Sequence, residues 1–228
     1  MPQKKFLLLT FALLLTATAA FAFRNFIICG TDFMPFGPGP EKVLREAYAA
    51  LGYNLVVHRM PIPRSLEESN MGRFEGELAR VGGIESRYKN LVRVDVPIFD
   101  LEVVAVTKDK SRRIREWSDL GGLTVAYPRG AIIMEQNLPE NVGHLAPFLS
   151  LEKGMALLLA GRADVLLSSR KNLAGDDLEG LYVQEPPLEH VHVYHYLHKK
   201  NRALVPKLEA VLRKMREQGR IARILNKD

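Results

Sequence analysis

Apolar and polar positions along the chain alternate in short blocks that predict strands and helices in turn. The apolar run Phe26–Cys29 predicts a buried strand, and apolar residues at helical spacing from Leu44 to Leu51 follow it. Gly52 marks the end of that helix, and the run Tyr53–Met60 predicts a second strand. A strand, a helix and a strand in this order are typical of a βαβ unit with parallel strands, which indicates an α/β fold.

The remaining apolar blocks predict the same alternation to the end of the chain. β-favouring residues mark the strands, and prolines, glycines and an N-capping serine mark the ends of the helices. The further predicted strands are Phe74–Val81, Leu91–Val96, Leu101–Thr107, Leu123–Tyr127, His144–Phe148, Ala163–Ser168, Leu181–Val183 and Val191–Leu197. The further predicted helices are Arg64–Met71, Ala131–Gln136, Leu151–Ala160 and Asn201–Gln218, the last of which ends at Gly219.

A change of composition at Lys108 divides the chain into two α/β units. Two extended segments join the units, Val103–Thr107 going out and Val191–Leu197 coming back. We therefore expect a two-lobed α/β fold with a double-stranded hinge and an interlobe cleft. The predicted first lobe comprises residues 23–106 and 197–228, and the predicted second lobe comprises residues 107–196.

The N-terminus has the layout of a secretory signal peptide. The basic start MPQKK precedes an apolar run, and Ala20 and Ala22 flank Phe21 as in an A-x-A cleavage site. The apolar core is shorter than the ~20 residues that a spanning helix needs, which favours cleavage after Ala22 over a retained membrane anchor. We expect a periplasmic protein, whose net charge falls from +6 to +4 when Lys4 and Lys5 are removed.

Two features that suggest other functions are better explained as structural. The basic run Lys108–Arg115 is compatible with nucleic-acid binding, but an exported protein meets little nucleic acid and no aromatic residues interleave with these charges. A solvated face is favoured. The single cysteine, Cys29, has no partner for an intramolecular disulfide and lies in a predicted strand, which indicates a buried structural thiol.

Signals for a metal, a cofactor or catalysis are weak. Four histidines near the C-terminal end carry imidazoles that suit zinc or copper: His190, His192, His195 and His198. They do not all fall on one face of the predicted strand, and no cysteine joins them. No G-x-S-x-G, H-E-x-x-H or P-loop pattern occurs in the sequence. Glu75 and Glu77 could form a carboxylate pair on one strand face, although exposed pairs of this kind are common. We expect no metal and no cofactor.

The segment from Gly72 to Arg87 predicts an anion-binding loop. It places Arg80 and Arg87 in a turn region rich in glycine, with Arg80 directly at a predicted strand end. An arginine can hold a carboxylate or phosphate with two parallel hydrogen bonds. Alternatively, either arginine lies on the surface or pairs with a nearby glutamate (Glu75, Glu77 or Glu85).

Other loops at predicted strand ends carry further candidates for ligand binding. The turn Arg129-Gly130 precedes a predicted helix, where backbone N–H groups suit an anion. Ligands in open α/β sheets bind at the carboxyl ends of strands, and the loops that carry Phe33, Phe36, Arg80, Arg129 and Ser169 lie there. Arg64 is an additional candidate. The two phenylalanines could equally be core residues.

Four segments, in order, carry a resemblance to a known family: GTDFMPFGP, GRFEGELARVGGIESRYKNLVRVDVPIFD, WSDLGGLTVAYPRG and GRADVLLSS. The chain resembles the periplasmic solute-binding proteins of amino-acid ABC transporters, solute-binding protein family 3, which have the type II two-lobed fold. The resemblance covers essentially the whole chain after the signal peptide. No single motif is very specific, and their order and spacing carry the assignment.

The resemblance implies roles for several residues and also shows departures from the family pattern. It implies that Phe33 or Phe36 packs on the ligand and that Arg87, fifteen residues after Gly72, binds the ligand carboxylate. Arg80 stands where the family usually has a small residue. Ser169 stands where the family has the aspartate that receives the ligand ammonium, which puts a standard amino-acid ligand in doubt.

Together these features predict a binding protein that closes on a small anionic or zwitterionic solute and presents it to a membrane transporter or a sensor. We expect a monomer with no nucleic-acid partner. One alternative is a periplasmic enzyme on the same fold, such as a dehydratase, because fold alone does not decide function. Another is a sensory module that serves no transporter.

Overall fold

The strands of the protein form one continuous sheet. The computed structural model describes residues 24–31, 38–174 and 178–226. The strands are β1 (Arg24–Thr31), β2 (Tyr53–Met60), β3 (Gly76–Val81), β4 (Leu91–Arg93), β5 (Phe99–Thr107), β6 (Thr124–Pro128), β7 (His144–Phe148), β8 (Val165–Ser169), β9 (Tyr182–Val183) and β10 (Glu189–His198). The order across the sheet is β2-β1-β3-β10-β5-β8-β6-β7, with β4 paired to β10 and β9 paired to β5.

Helices cover this sheet and connect its strands. They are α1 (Gly39–Ala49), α2 (Ile62–Asn70), α3 (Ile132–Asn137), α4 (Leu151–Leu159), α5 (Arg170–Leu173), α6 (Val205–Glu217) and α7 (Arg220–Leu225). Short 3₁₀ segments lie at Ile84–Ser86, Trp117–Leu120 and Lys199–Leu204. Ser150 caps the N-terminus of α4, where its side chain accepts a hydrogen bond from the backbone N–H of Lys153.

Two groups of parallel strands define two lobes. In the first lobe (β1–β4 with α1, α2, α6 and α7), β1 pairs in parallel with β2 and β3. In the second lobe (β6–β8 with α3–α5), β6 pairs in parallel with β7 and β8. The antiparallel strands β5 and β10 join the lobes, because β10 pairs with β3 on one side and with β5 on the other. The α/β fold with two lobes and a double-stranded connection is as predicted.

Strand β5 belongs to both lobes. Its residues up to Val103 pair with β10, and those from Val103 onward pair with β8 of the second lobe. The side chains alternate between two hydrophobic clusters: Val103 and Ala105 join the larger one, whereas Val104 and Val106 join a cluster of the second lobe. Burial on both faces explains why the second half of this strand, residues 103–106, is a continuous apolar run. The predicted lobe boundaries, at 106/107 and 196/197, fall within β5 and β10.

The C-terminal end of the chain differs from the sequence prediction. Gly219 ends α6 with φ of 65°, as predicted, but the chain then forms α7. The packing of α7 explains the additional helix, since Ile221 is buried and Arg220 makes hydrogen bonds of 2.7 and 2.9 Å to Glu46 of α1. The helix is short and its stabilising partner is far away in the sequence, so local pattern does not reveal it.

The predicted signal peptide, residues 1–22, lies outside the described residues. Within the part of the chain that the structure describes, none of the helices combines the length and the apolar character needed to cross a membrane.

Candidate functional site

The carboxyl ends of the parallel strands of both lobes meet at one place. Thr31 ends β1, Val81 ends β3, Pro128 ends β6 and Ser169 ends β8. All four residues line a cavity between the lobes. This is the position at which open α/β sheets bind ligands.

The cavity has a volume of about 90 Å³. Since one water needs roughly 10–15 Å³ by this measure, the cavity has room for a solute the size of about half a dozen waters. Leu101 of β5 and Val193 of β10 contribute from the strands that join the lobes. The remaining lining residues are Ile62, Ala79, Arg80, Ile84, Gly130, Ala131, Ile132, Ile133, Met134 and Asn172.

The two lobes are in contact beside the cavity. Gly130 has φ of 81°, which favours glycine, and a methyl group added there would lie 3.1 Å from Pro63 and 3.2 Å from Ile62. Ile132 of the second lobe also packs against the first-lobe cluster that contains Leu66 and Ile84. The structure therefore represents a closed arrangement.

An irregularity in β3 sets the direction of Arg80. In the pairing with β10, Tyr194 lies opposite Arg80 and Tyr196 lies opposite Glu77, so three steps along β3 match two along β10. Such a bulge reverses the alternation of side chains. Glu77 and Arg80 would otherwise point to opposite faces, and the bulge places them together.

Glu77 and Arg80 form a buried ion pair held by two serines of α2. Arg80 Nη2 lies 2.5 Å from Glu77 Oε1 and donates to Ser65 Oγ at 2.6 Å. The Glu77 carboxylate accepts hydrogen bonds from Ser65 Oγ at 3.1 Å and from Ser69 Oγ at 3.0 Å. Glu77 is 0% exposed and Arg80 is 9% exposed. The pair thus anchors Arg80 at the cavity wall.

Burial and charge act against each other at this pair. Burial raises the pKa of Glu77, and the neighbouring Arg80 with the two serine hydroxyls opposes that rise. Arg80 Nε is buried and has no hydrogen-bond partner among the described residues. A buried donor without an acceptor costs ~1–3 kcal/mol, so this group adds to the cost of burying the pair.

Ser169 and Gly130 both belong to the second-lobe part of the wall. Ser169 is the N-cap of α5, and its Oγ accepts from the backbone N–H of Asn172 at 3.2 Å. The backbone N–H of Gly130 donates to Glu135 Oε1 at 3.0 Å. The sequence predicted that this N–H would bind an anion. In the structure the carboxylate of Glu135, from the following helix α3, accepts its hydrogen bond instead.

The structure brings together only some of the predicted site residues. Arg80, Gly130 and Ser169 line the cavity. Phe33 and Phe36 lie outside the described residues.

The three remaining arginines do not line the cavity that the described residues form. Arg64 on α2 and Arg87 are exposed, and the Arg87 guanidinium carbon lies 5.4 Å from the centre of the Tyr88 ring. Arg129 is exposed and lines a separate shallow groove on the second lobe together with Leu149. In this arrangement Arg80, and not Arg87, is the arginine of the cavity.

Several lining residues were not among the sequence candidates. Thr31 ends β1 and could have been included as the last residue of a predicted strand. Leu101, Val193 and Asn172 carry no local signal, because apolar strand residues and a helical asparagine are common everywhere. Ile62 and Ile132 reach the cavity only because the two lobes close on each other.

The other chemically active residues are structural in this arrangement. Cys29 is buried, with burial raising the pKa of its thiol to about 12, and it lies 3.9 Å from Met60 Sδ. His192 Nδ1 lies 2.5 Å from Asp100 at the surface, whereas His195 is in the core. Among the described residues, no three histidine, cysteine or acidic side chains form a group that could hold a metal ion. Glu75 precedes β3 and accepts a backbone hydrogen bond from Ile27, so it forms no pair with Glu77.

Comparison with solved structures identifies the fold. A mutant of ArgBP from T. maritima is 20% identical with a TM-score of 0.75, covering 89% of this chain and 94% of that chain. AbpA from Streptococcus pneumoniae, an amino acid ABC transporter substrate-binding protein bound to L-arginine, is 15% identical with a TM-score of 0.75, covering 89% and 93%. The chain has the two-lobed type II periplasmic-binding-protein fold.

Two further comparisons place the chain less specifically. The ancestral amino acid-binding protein AncCDT-1, a precursor of cyclohexadienyl dehydratase, is 17% identical with a TM-score of 0.72, covering 89% of this chain and 94% of that chain. An uncharacterized protein of Shewanella oneidensis is 27% identical over 196 residues, which span 78% of this chain and 71% of that protein. No family model matches the chain.

Proposed function

We propose that the protein is an extracytoplasmic solute-binding protein that encloses a small anionic or zwitterionic solute between its lobes. The observation that carries the proposal is the buried Arg80 at the wall of a cavity formed by the carboxyl ends of strands from both lobes. A guanidinium group in this position is suited to a carboxylate. The solute is amino-acid-like or an organic acid.

Closure of the lobes is the proposed mechanism of binding. Lining residues come from both lobes and from the two strands that join them, so bending at β5 and β10 would open the cavity to solvent. Closing removes the solute from water and strengthens its interaction with Arg80. The closed form is then recognised by a membrane transporter or a sensor.

The comparisons support a binding function over catalysis. ArgBP and AbpA are both binding proteins, and AbpA is an amino acid ABC transporter substrate-binding protein with L-arginine bound. From these two proteins we infer for this chain only that it captures a small solute. The predicted signal peptide supports a periplasmic location, and we propose that the protein performs no reaction on its solute.

A thermal-shift screen tests the proposal. Amino acids, dicarboxylates, aromatic acids and sugars are added separately, and the melting temperature and any conversion of the solute are measured. A solute at a hundred times its dissociation constant should add ~2.7 kcal/mol to the free energy of unfolding. For a chain of this size that corresponds to roughly 5–10 °C in melting temperature.

Variants of the arginines identify the group that binds the solute. Arg80→Ala alone would leave Glu77 buried without its partner, which costs ~3–5 kcal/mol, so we use the double variant Glu77→Gln/Arg80→Met. We expect this variant to lose solute-induced stabilisation, whereas Arg87→Met and the control Arg73→Met retain it. Loss in Arg87→Met alone would transfer the role to Arg87. Stabilisation by a sugar only, or turnover of the solute, would contradict the proposal.

A further inference from the structure

The described part of the cavity wall offers one kind of charge. Among the described lining residues, Arg80 is the only one with an ionisable side chain, and none of them carries a carboxylate. The carboxylate of Glu77 is 0% exposed and is already bonded to Arg80 and two serines. Along the described part of the wall, a solute therefore contacts the guanidinium group of Arg80, whereas the carboxylate of Glu77 lies beneath the surface of the cavity.

The polar groups on the second-lobe side of the cavity are neutral. Ser169 Oγ accepts from the backbone N–H of Asn172, and the Gly130 N–H is bonded to Glu135. An ammonium group in the cavity would exchange water for neutral oxygen atoms. Neutral oxygen atoms supply no opposite charge for an ammonium group, and an unpaired buried charge is unfavourable.

The rest of the wall is mainly apolar and comes from both lobes. Ile62 and Ile84 of the first lobe line the cavity together with Ile132 and Met134 of the second, and Leu101 of β5 completes this part of the wall. These side chains have no hydrogen-bonding groups, so they favour a solute whose body is hydrocarbon. A guanidinium or ammonium group at the far end of the solute would be buried among them without a partner.

We propose that the solute is a carboxylic acid with an apolar body and without an ammonium group. Its carboxylate accepts hydrogen bonds from Arg80, which lines the cavity and remains 9% exposed. Its hydrocarbon body packs between the isoleucines of the two lobes. This inference rests on the proposed solute-binding function and specifies the chemical class of the solute.

Matched pairs of ligands test the class. Isocaproate is leucine without its amino group, and hydrocinnamate is phenylalanine without its amino group. The full chain is expressed and the protein is purified. Calorimetry then measures the binding of each acid and each amino acid, with L-arginine as a further ligand. We expect each acid to bind at least about tenfold more tightly than its amino acid. A modest electrostatic penalty for burying the ammonium group is enough to produce this ratio of affinities.

The outcomes separate this inference from the proposed function. If L-leucine, L-phenylalanine or L-arginine binds as tightly as the acids or more tightly, the inference is wrong and the solute-binding function stands. The inference is also wrong, and the function again stands, if the apolar acids fail while a polar anionic or zwitterionic solute binds. If no solute of any class binds, both are wrong.

Two variants at Ser169 test the electrostatic argument directly. Asparagine and aspartate both serve as N-caps, so Ser169→Asn and Ser169→Asp keep the cap of α5 and differ from each other mainly by a charge. We expect Ser169→Asp to weaken isocaproate and strengthen L-leucine, so that the preference reverses, whereas Ser169→Asn keeps the preference for the acid. Equal behaviour of the two variants would show that charge at this wall does not select the solute.

Discussion

At the scale of single residues, the pair of Glu77 and Arg80 controls the charge of the cavity. Arg80 is already neutralised by a carboxylate 2.5 Å away, so a second carboxylate from the solute would leave an excess negative charge in a buried place. Burial already raises the pKa of Glu77. The solute carboxylate would raise this pKa further, since two carboxylates sharing one cation rarely stay ionised together.

We therefore expect binding of an acid to be accompanied by uptake of a proton at Glu77. Between the pKa of Glu77 in the free protein and its higher pKa in the complex, the affinity falls as the pH rises, by up to about tenfold per pH unit, and it levels off above the higher of the two pKa values. Calorimetry in buffers of different ionisation heat measures the proton count. Other polar groups packed around Glu77 face the same change of charge. They are Arg80 on β3, Cys29 on β1, Ser65 and Ser69 on α2, and His195 and Tyr196 on β10.

The variant Glu77→Gln identifies the group that takes up the proton. It should bind the acid with an affinity that no longer depends on pH and that exceeds the wild-type affinity at neutral pH. Glu85→Gln is the matched control, because Glu85 lies outside the cavity and faces Arg93 at 3.7 Å. A proton uptake that persists in Glu77→Gln would refute this assignment, and if that variant does not fold, the absence of uptake in the wild type would refute it.

At the scale of elements, a buried histidine ties three of them together. His195 of β10 is 0% exposed. Its Nδ1 lies 3.2 Å from the carbonyl oxygen of Leu78 on β3, and its Nε2 lies 2.8 Å from Tyr48 Oη on α1. Since a carbonyl oxygen only accepts, Nδ1 carries the hydrogen and Nε2 accepts from the tyrosine. The neutral imidazole thus satisfies both contacts.

The stability of the first lobe should fall in mild acid because of His195. Burial lowers the pKa of His195 from 6.5 to about 4, so between these values the unfolded chain binds the proton and the folded chain does not. The contribution of the neutral His195 to stability is therefore fully present above its pKa in the unfolded chain, 6.5, and is lost as the pH falls towards its pKa in the folded protein, about 4. From neutral pH to about pH 5 we expect a loss of about 2 kcal/mol in the free energy of unfolding.

Urea unfolding at the two pH values measures this loss. His195→Gln should be less stable than the wild type at neutral pH, because it disturbs two buried hydrogen bonds, but it should lack most of the pH-dependent loss. His192→Gln is the control on the same strand, since His192 is exposed and paired with Asp100. An identical pH dependence in His195→Gln and the wild type would contradict the role of His195.

At the scale of the whole molecule, closure of the lobes brings Gly130 against the start of α2. A methyl group on Gly130 would lie 3.1 Å from Pro63, which is tighter than an ordinary contact. Gly122 also has a positive φ, of 72°, but a methyl group there would meet none of the described atoms within 4 Å. The two glycines therefore share the same backbone strain on substitution and differ in their contact with the other lobe.

We expect Gly130→Ala to weaken solute binding through hindered closure, by about tenfold. Both Gly130→Ala and Gly122→Ala should lose ~1 kcal/mol of stability because alanine disfavours a positive φ. Only Gly130→Ala should also show a larger radius of gyration by small-angle X-ray scattering with solute present. Equal affinities in the two variants would show that this contact does not control closure.

Most elements and the class of fold follow from local patterns in the sequence. Runs such as Tyr53–Met60 and His144–Phe148 form strands with the predicted bounds, because local periodicity and bounding glycines or prolines decide such segments. The apolar segment Val103–Thr107 of β5 was likewise predicted as a connection between the lobes. A strand end with an arginine, Arg80, was identifiable as a candidate for the same local reasons.

Which of the candidate residues come together depends on long-range contacts. The sequence leaves both Arg80 and Arg87 as candidates, but the bulge in β3 turns Arg80 towards Glu77 and the cavity, whereas Arg87 lies on the surface. The bulge depends on the pairing with β10, more than a hundred residues away, so no local pattern reports it. The apolar wall likewise depends on lobe closure. It brings together isoleucines of both lobes, and no local pattern marks any of them as part of a site. Local sequence specifies elements, and long-range pairing specifies the site.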